Sequence, residues 1–258
     1  MNTIQVKRED GLAIITLNAP PLNLVSVEMT AELDETLADL DGDVSVRGLL
    51  LHGAGDKAFC AGSDIKEFHA YMAPGAVIKH KLTAENVMYS RLAHFRTPTV
   101  AAVTGVAFGG GLELAVCCDL IVADPQARFA LPEVKLGVFP GSGGTVRVQR
   151  RIGHCRATEM TLLGEPIDAM TALHWGLINR VAEPGDVFSM AKEIAARFAD
   201  GPVSQNLAKS ALRYGYELPE DQAIDETLLL IDKAFVSQDC RVGVDAFRGK
   251  ENPRFVGR

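Results

Sequence analysis

The sequence predicts an α/β protein, because short apolar runs alternate with segments whose apolar residues recur at helical spacing. The run RGLLLHG at residues 47–53 is unbroken in its apolar centre, which is typical of a strand covered on both faces. Residues 27–40 instead carry acids on one face and apolar side chains at helical spacing on the other, at Met29, Leu33, Leu37 and Leu40.

The remaining elements follow from the same two patterns. Strands are predicted at 11–17, 47–53, 99–105 and 119–124, where apolar runs end at turn residues. Helices are predicted at 27–40, 76–94, 155–163, 168–175, 186–199, 203–216 and 220–236. Three stretches share a loose plan of strand, glycine turn and short helix, which is a weak internal repeat: 47–72, 99–118 and 119–150.

The chain divides at the helix-breaking sequence Asp200-Gly201-Pro202. We predict an α/β core over residues 1–200, with the alternating pattern ending near 200, and a helical C-terminal segment over 201–258. This segment needs a partner surface, either its own core or a neighbouring subunit, because it carries apolar residues along one face: Leu228, Leu229, Ile231 and Phe235.

Composition excludes several classes of protein. With 258 residues, 47% hydrophobic and 23% charged, the chain is typical of globular proteins and long enough to bury a large core. The net charge of −7 argues against a nucleic-acid partner. The five cysteines form no C-x-x-C pair and the six histidines no H-x-x-x-H pair, so no metal site is expected.

The N-terminus and the apolar runs bear on location. MNTIQVKREDGLAIITLN enters a strand-like pattern at once and lacks the plan of a signal peptide. The apolar runs are far shorter than the roughly 20 residues that a membrane span needs. Cys117 and Cys118 lie in an apolar run, as reduced core thiols do. We therefore expect a soluble cytoplasmic protein without a membrane partner.

Three common catalytic motifs are absent or incomplete. Residues 53–58, GAGDKA, match G-x-G-x-x-A, but Phe59-Cys60-Ala61-Gly62 interrupts the helix that a dinucleotide site needs. No G-x-x-x-x-G-K-[ST] and no G-x-S-x-G occurs. Nucleotide-binding and serine hydrolase functions are therefore disfavoured.

Two glycine turns carry a stronger signal. FCAGSDIKE at 59–67 and GVAFGGGLEL at 105–114 each place glycine at a sharp turn with a helix expected just after it. Free N–H groups at such turns can converge on one oxygen and form an oxyanion hole. We expect the backbone amides of Ser63 and Gly110 to be these donors; the alternative is that the glycines simply end strands.

Two glutamates stand in apolar surroundings. Glu113 is flanked by Leu112 and Leu114, and Glu133 follows Pro132 in FALPEVKLG. Each could be an acid favoured at the start of a helix. Together, two carboxyls in apolar pockets can hold different protonation states and act as acid and base.

Five motifs are collinear over nearly the whole chain and together resemble the crotonase superfamily of enoyl-CoA hydratases and isomerases. They are GLAIITLNAP, FCAGSDIKEF, GVAFGGGLELAVCCDLIVAD, FALPEVKLGVFPGSGGT and AFRGKENPRF. The resemblance implies a crotonase-like spiral of ββα turns with a helical C-terminal trimerisation segment, assembled as a homotrimer or as a homohexamer (a dimer of trimers).

The resemblance also implies site residues and a reaction. Glu113 and Glu133 match the two catalytic glutamates of hydratases, whereas members that only move a double bond often keep just the second. Ser63 and Gly110 match the oxyanion donors. The residues implied to bind CoA are Ala61, Ser63, Asp64, Ile65, Lys66, Phe247 and Lys250. The implied reaction is syn addition of water to a trans-2-enoyl-CoA, in which CoA belongs to the substrate and no cofactor or metal is needed.

The chain departs from the family pattern at some positions, and alternatives stay open. The loop Asn18–Leu24 lacks the arginine that relatives often carry before its proline, which puts one CoA contact in doubt. FALPEVKLG together with Trp175-Gly176 resembles the branch that hydrates crotonobetainyl-CoA. The alternatives are therefore a Δ3-Δ2 enoyl-CoA isomerase, a carnitinyl-CoA-type dehydratase and a non-catalytic RNA-binding member.

Overall fold

Strands and helices alternate along most of the chain in a computed structural model that describes residues 2–258. The strands are β1 (Ile4–Glu9), β2 (Leu12–Leu17), β3 (Gly48–Gly53), β4 (Ala58–Cys60), β5 (Thr99–Val103), β6 (Val106–Phe108), β7 (Leu120–Ala123), β8 (Arg128–Ala130), β9 (Ile167–Asp168) and β10 (Arg180–Val181). The helices are α1 (Val27–Gly42), α2 (Thr83–Ala93), α3 (Gly110–Ala115), α4 (Gly144–Ile152), α5 (His154–Leu163), α6 (Ala169–Trp175), α7 (Val187–Ala199), α8 (Ser204–Glu217), α9 (Glu220–Val236) and α10 (Gln238–Gly249). Two 3₁₀ helices, Ile65–Tyr71 and Pro132–Leu136, and one π-helical turn, Ile78–Leu82, complete the fold.

Two sheets share the strands in alternation. The larger has the order β1-β2-β3-β5-β7-β10 and is parallel except for the β1–β2 hairpin. The smaller has the order β4-β6-β8-β9, with only β8–β9 antiparallel. From β3 to β8 each successive strand joins the other sheet, so the chain climbs as a spiral of strand pairs, each followed by helical structure. This confirms the predicted α/β spiral and explains the loose repeat in the sequence.

The apolar runs of the sequence form the core between these layers. Leu49, Leu50 and Leu51 are fully buried on both faces of β3, as the unbroken run predicted. Helix α1 begins at an N-cap, where the Ser26 hydroxyl accepts a hydrogen bond from the Met29 amide. Its apolar stripe then packs in the same core as β3.

The structure corrects three details of the predicted elements. The predicted helix 76–94 contains the π-helical turn before α2 begins at Thr83. The strands β9 and β10 were not predicted, since the sequence pattern from about residue 155 onward is helical. Helix α10 was not predicted, because its sequence, QDCRVGVDAFRG, mixes polar and apolar residues without a long apolar stripe.

Polar contacts join α8 to the core and the C-terminal elements to one another. Lys209 of α8 lies 2.7 Å from Asp119 and donates to the Thr97 carbonyl. The buried Asp239 carboxylate accepts backbone hydrogen bonds from Val203, Val256 and Gly257, so it joins α10, α8 and the tail. The division at residue 200 into core and C-terminal segment stays a prediction.

Candidate active site

Glycine residues bring the end of β4 against the start of α3. Gly62 and Gly109 have positive φ angles of 102° and 51°, which favour glycine. A Cβ on Gly111 would lie 2.0 Å from the Cys60 carbonyl oxygen, so only glycine permits this approach. The glycines of the two sequence motifs therefore hold the two turns in contact.

The backbone amides of Ser63 and Gly110 lie beside each other at this contact. A Cβ on Gly110 would lie 3.7 Å from the Ser63 nitrogen, and one on Gly62 would lie 3.6 Å from the Gly110 nitrogen. Gly62 and Asp64 make the backbone hydrogen bonds to Val25, which leaves the Ser63 N–H facing the other way. Within residues 2–258 neither amide donates to a protein acceptor.

A buried tyrosine supports this turn from behind. The Tyr89 hydroxyl on α2 donates a 2.8 Å hydrogen bond to the Gly110 carbonyl. That bond orients the peptide group at the start of α3. The sequence analysis did not identify Tyr89, since an aromatic residue within an apolar helix face gives no separate signal.

Glu113 is held on α3 by two backbone donors. Its side chain is 3% exposed, and Oε1 accepts hydrogen bonds from the amides of Ser142 (2.9 Å) and Gly144 (2.7 Å). Both amides donate to the same oxygen, so Oε2 accepts no hydrogen bond from the described residues. A Cβ on Gly144 would lie 2.9 Å from Glu113 Cγ, which explains the glycine there.

Glu133 lies across the turn from Glu113. It stands in the first turn of the 3₁₀ helix Pro132–Leu136, and its Oε1 would be 2.9 Å from a Cβ on Gly109. Its Oε2 is buried and has no hydrogen-bond partner among the described residues. An unpartnered buried carboxylate oxygen is costly in a folded protein and is often retained for function.

Both carboxyls have pKa values close to neutral pH. Burial raises the pKa of Glu113 to about 7, against the opposing effect of the Gly144 amide, and the charge of Glu133 adds to the rise. Burial also raises the pKa of Glu133 to about 7. Two carboxyls with pKa values near 7 can hold different protonation states at neutral pH.

A polar network that the sequence analysis missed lies behind Glu113. The Ser142 hydroxyl donates a 2.7 Å hydrogen bond to Glu85 Oε2, and Lys81 Nζ lies 2.8 Å from Glu85 Oε1. Lys81 and Glu85 stand four residues apart, which on sequence alone is the spacing of an ordinary surface ion pair. No sequence signal shows that both side chains of this pair are buried in the protein interior.

The residues implied to bind CoA fall into two groups. Five stand in the segment after β4: Ala61 and Ser63 are partly buried, Asp64 caps the 3₁₀ helix, and Ile65 and Lys66 are exposed. The other two lie on α10 and just after it, where Phe247 is 86% exposed and Lys250 has a φ of 57°. No hydrogen bond or ion pair of residues 2–258 joins the second group to the first.

Two further features concern metals and membranes. Across residues 2–258, no cluster of three or more His, Cys, Asp or Glu side chains could hold a metal ion. In the same part of the chain, no helix combines the length and apolar character that crossing a bilayer requires.

Known proteins resemble this chain in both sequence and fold. A model of the family described as enoyl-CoA hydratase/isomerase matches residues 7–258. A probable enoyl-CoA hydratase of Mycobacterium bovis is 36% identical, covering 99% of this chain and 98% of the relative. A short-chain-enoyl-CoA hydratase of Clostridium acetobutylicum is 34% identical, covering 96% and 95%.

Solved structures agree. The crystal structure of an enoyl-CoA hydratase from Bacillus anthracis superimposes with a TM-score of 0.94 at 30% identity, covering 99% of this chain and all of that one (100%). The full-length match in sequence and in fold confirms the resemblance drawn from the motifs: the chain belongs to the crotonase superfamily, the enoyl-CoA hydratase/isomerase family of enzymes.

Proposed function

We propose that this enzyme is an enoyl-CoA hydratase that adds water in syn fashion to a trans-2-enoyl-CoA and forms a 3-hydroxyacyl-CoA. The observation that carries the proposal is the juxtaposition of two free backbone amides with two buried carboxyls whose pKa values are both raised to about 7. The full-length relatives with hydratase names support the same reaction class.

The amides of Ser63 and Gly110 are proposed to bind the thioester carbonyl oxygen. Two N–H donors aimed at this oxygen polarise the conjugated C2=C3 bond and stabilise the enolate character that develops when C3 is attacked. The absence of a protein acceptor for either N–H group supports this role, and the Tyr89 hydrogen bond holds the Gly110–Gly111 peptide group that follows the second donor.

Glu113 is proposed to activate the water. Oε1 is held by two backbone amides, so Oε2 is the oxygen able to orient a water molecule at C3 and take its proton. This role requires the ionised form, and a pKa of about 7 leaves a substantial ionised fraction at neutral pH.

Glu133 is proposed to supply the proton to C2. This role requires the protonated form, which burial favours by raising the pKa of this carboxyl. Water's hydroxyl adds to C3 and a proton from Glu133 adds to C2, while Glu113 accepts the proton that water loses. The proton gained by Glu113 then returns to Glu133, which restores the starting state. The reaction is redox neutral, so no cofactor beyond the CoA of the substrate is proposed.

The CoA moiety is proposed to lie along the loop Ala61–Lys66. Ile65 and Lys66 at the end of this loop are exposed, and Lys66 can meet the phosphates of CoA. Phe247 and Lys250 are proposed to contact CoA as well. Phe247 is a large apolar side chain that contact with an adenine ring would cover.

We also propose a homotrimer, or a dimer of trimers, built through the C-terminal segment. Helix α9 leaves a row of apolar side chains uncovered, which is expected of a surface that packs against another copy: Leu228, Leu229, Ile231, Phe235 and Val236. Sedimentation equilibrium is expected to give three or six times the 27.7 kDa of one chain. A monomer that is nevertheless fully active would contradict this assembly.

The proposed location is the cytoplasm. Three of the five cysteines are buried free thiols, namely Cys60, Cys117 and Cys118. Such thiols persist in a reducing compartment.

A panel of enoyl-CoA esters tests the function. We expect loss of the conjugated thioester absorbance when the enzyme acts on crotonyl-CoA, with chromatographic recovery of 3-hydroxybutyryl-CoA. Conversion of 3-hexenoyl-CoA without hydration of crotonyl-CoA would identify an isomerase instead. Activity confined to crotonobetainyl-CoA would identify the carnitinyl-CoA-type reaction. A salt-sensitive shift of RNA by an inactive protein would favour the non-catalytic alternative.

A further inference from the structure

We propose that Lys81 and Glu85 form a positioning pair for the proposed water-activating glutamate: through Ser142 they fix the loop that holds Glu113, and their opposite charges balance each other beside its carboxylate. The pair contacts Glu113 only through this loop, so neither residue is placed among the catalytic groups. This inference rests on the proposed hydratase function and deepens it.

The contacts form a continuous chain from the helix to the carboxylate. Lys81 Nζ meets Glu85 Oε1 at 2.8 Å, and Glu85 Oε2 accepts the Ser142 hydroxyl at 2.7 Å. The amide of the same serine donates to Glu113 Oε1 at 2.9 Å. A single residue thus binds two buried carboxylates, one by its side chain and one by its backbone.

The burial of the pair is unusual for a spacing of four residues. Lys81 is 4% exposed and Glu85 is 3% exposed, whereas most pairs at this spacing are solvated. The π-helical turn Ile78–Leu82 contains Lys81, and such turns are frequent at functional sites. Burial lowers the pKa of Lys81, but the charges of Glu85 and Glu67 outweigh it and leave that pKa above the usual value.

A buried ion pair is a weak source of stability, because desolvation of both ions offsets their attraction. The location of the pair suggests another use. A lone Glu85 carboxylate would repel an ionised Glu113 and would keep it protonated. With Lys81 beside it, Glu85 can hold Ser142 by a charge-assisted hydrogen bond while Lys81 offsets its charge, although Lys81 also pairs with the partly exposed Glu67 at 3.4 Å.

The other groups that face Glu113 do not serve this purpose. Glu133 faces it from the 3₁₀ helix Pro132–Leu136, and its charge raises the pKa of Glu113. Tyr89 on α2 and Cys117 beyond α3 are buried, and burial raises the pKa of both, so they are neutral. Arg147 of α4 donates to the Ser142 carbonyl and adds a positive charge on that side.

The wild-type pH profile provides the reference. kcat/KM for crotonyl-CoA is expected to fall below neutral pH, as Glu113 becomes protonated, and to fall above it, as Glu133 loses its proton. The acidic limb of the pH profile therefore reports the ionisation of Glu113.

Charge variants of the pair should move this limb in opposite directions. Glu85→Gln keeps an oxygen for the Ser142 hydroxyl but removes a negative charge, so the acidic limb should move about 0.5–1 pH unit lower. Lys81→Met removes the balancing positive charge, so the limb should move by a similar amount to higher pH. The double variant, neutral at both positions, should return the limb to its wild-type place.

A surface pair on the same helix provides the matched control. Arg91 of α2 pairs with Asp34 at 2.7 Å in a half-exposed position, so Asp34→Asn removes one carboxylate without touching Ser142. Its acidic limb should coincide with that of the wild type. Ser142→Ala keeps both charges of the buried pair and serves if a charge variant does not fold. Its kcat should fall several-fold with KM unchanged.

The outcomes separate this inference from the function on which it rests. Opposite limb shifts in folded Glu85→Gln and Lys81→Met enzymes support the positioning pair. Unmoved limbs in these enzymes, or full kcat in Ser142→Ala, would overturn it while the hydratase function stands. Failure of the wild-type enzyme to hydrate any ester of the panel would instead refute the proposed function.

Discussion

Replacing Glu133 by glutamine is expected to lower kcat for crotonyl-CoA hydration by about 10²–10⁴-fold, the range typical of losing a general acid. Glutamine keeps the shape of the side chain but cannot release a proton to C2. Because Glu133 Oε2 makes no hydrogen bond with the described residues, the substitution breaks no contact at that oxygen. The melting temperature and the affinity for the product's CoA moiety should therefore remain close to wild type.

A matched substitution separates the chemistry from the loss of charge. Glu165→Gln removes an exposed carboxylate that pairs with Lys135 at 2.9 Å. Lys135 lies on the same 3₁₀ helix as Glu133. Its kcat should match that of the wild type. Near wild-type turnover of Glu133→Gln, measured by loss of the conjugated thioester absorbance, would remove Glu133 from the mechanism.

The fold was predictable where burial imposes a simple pattern. The run RGLLLHG gave a buried strand because a parallel sheet covered on both faces admits apolar residues throughout. The three-residue strands β4, β6 and β8 were not predicted, because so short a segment shows no hydrophobic periodicity. These strands form most of the second sheet, so its existence followed from the family resemblance and not from hydrophobic pattern.

The candidate site was predictable for a different reason. Its glycines and glutamates are anomalies in the sequence, because Gly109-Gly110-Gly111 and an acid within an apolar run have few structural explanations. The pair Lys81 and Glu85 is not anomalous, since lysine and glutamate four residues apart are common on helices. What sets this pair apart from a surface pair is its burial, which results from the tertiary packing of α2 against the loop before α4. The local sequence pattern does not show this burial.

Loss of the Glu113 carboxylate is the second change with a large expected effect. Glu113→Ala should lower the kcat of hydration by about 10²–10⁴-fold, because no group remains to deprotonate the attacking water. Any migration of a double bond from C3 to C2 that proceeds through Glu133 should survive, since that reaction needs no water. Parallel assays with crotonyl-CoA and 3-hexenoyl-CoA measure both activities.

The hydrogen bonds of Glu113 require a second variant. Alanine leaves the Ser142 and Gly144 amides without their acceptor, at a cost of about 1–3 kcal/mol in unfolding free energy for a buried donor left unpaired. Glu113→Gln retains an oxygen at that position, so it should melt close to the wild type and still fail to hydrate. Equal loss of hydration in both variants, with stability lost only in alanine, assigns the effect to the missing base. Untouched hydration in both variants would remove Glu113 from the hydration mechanism, because water would then be activated without its carboxylate.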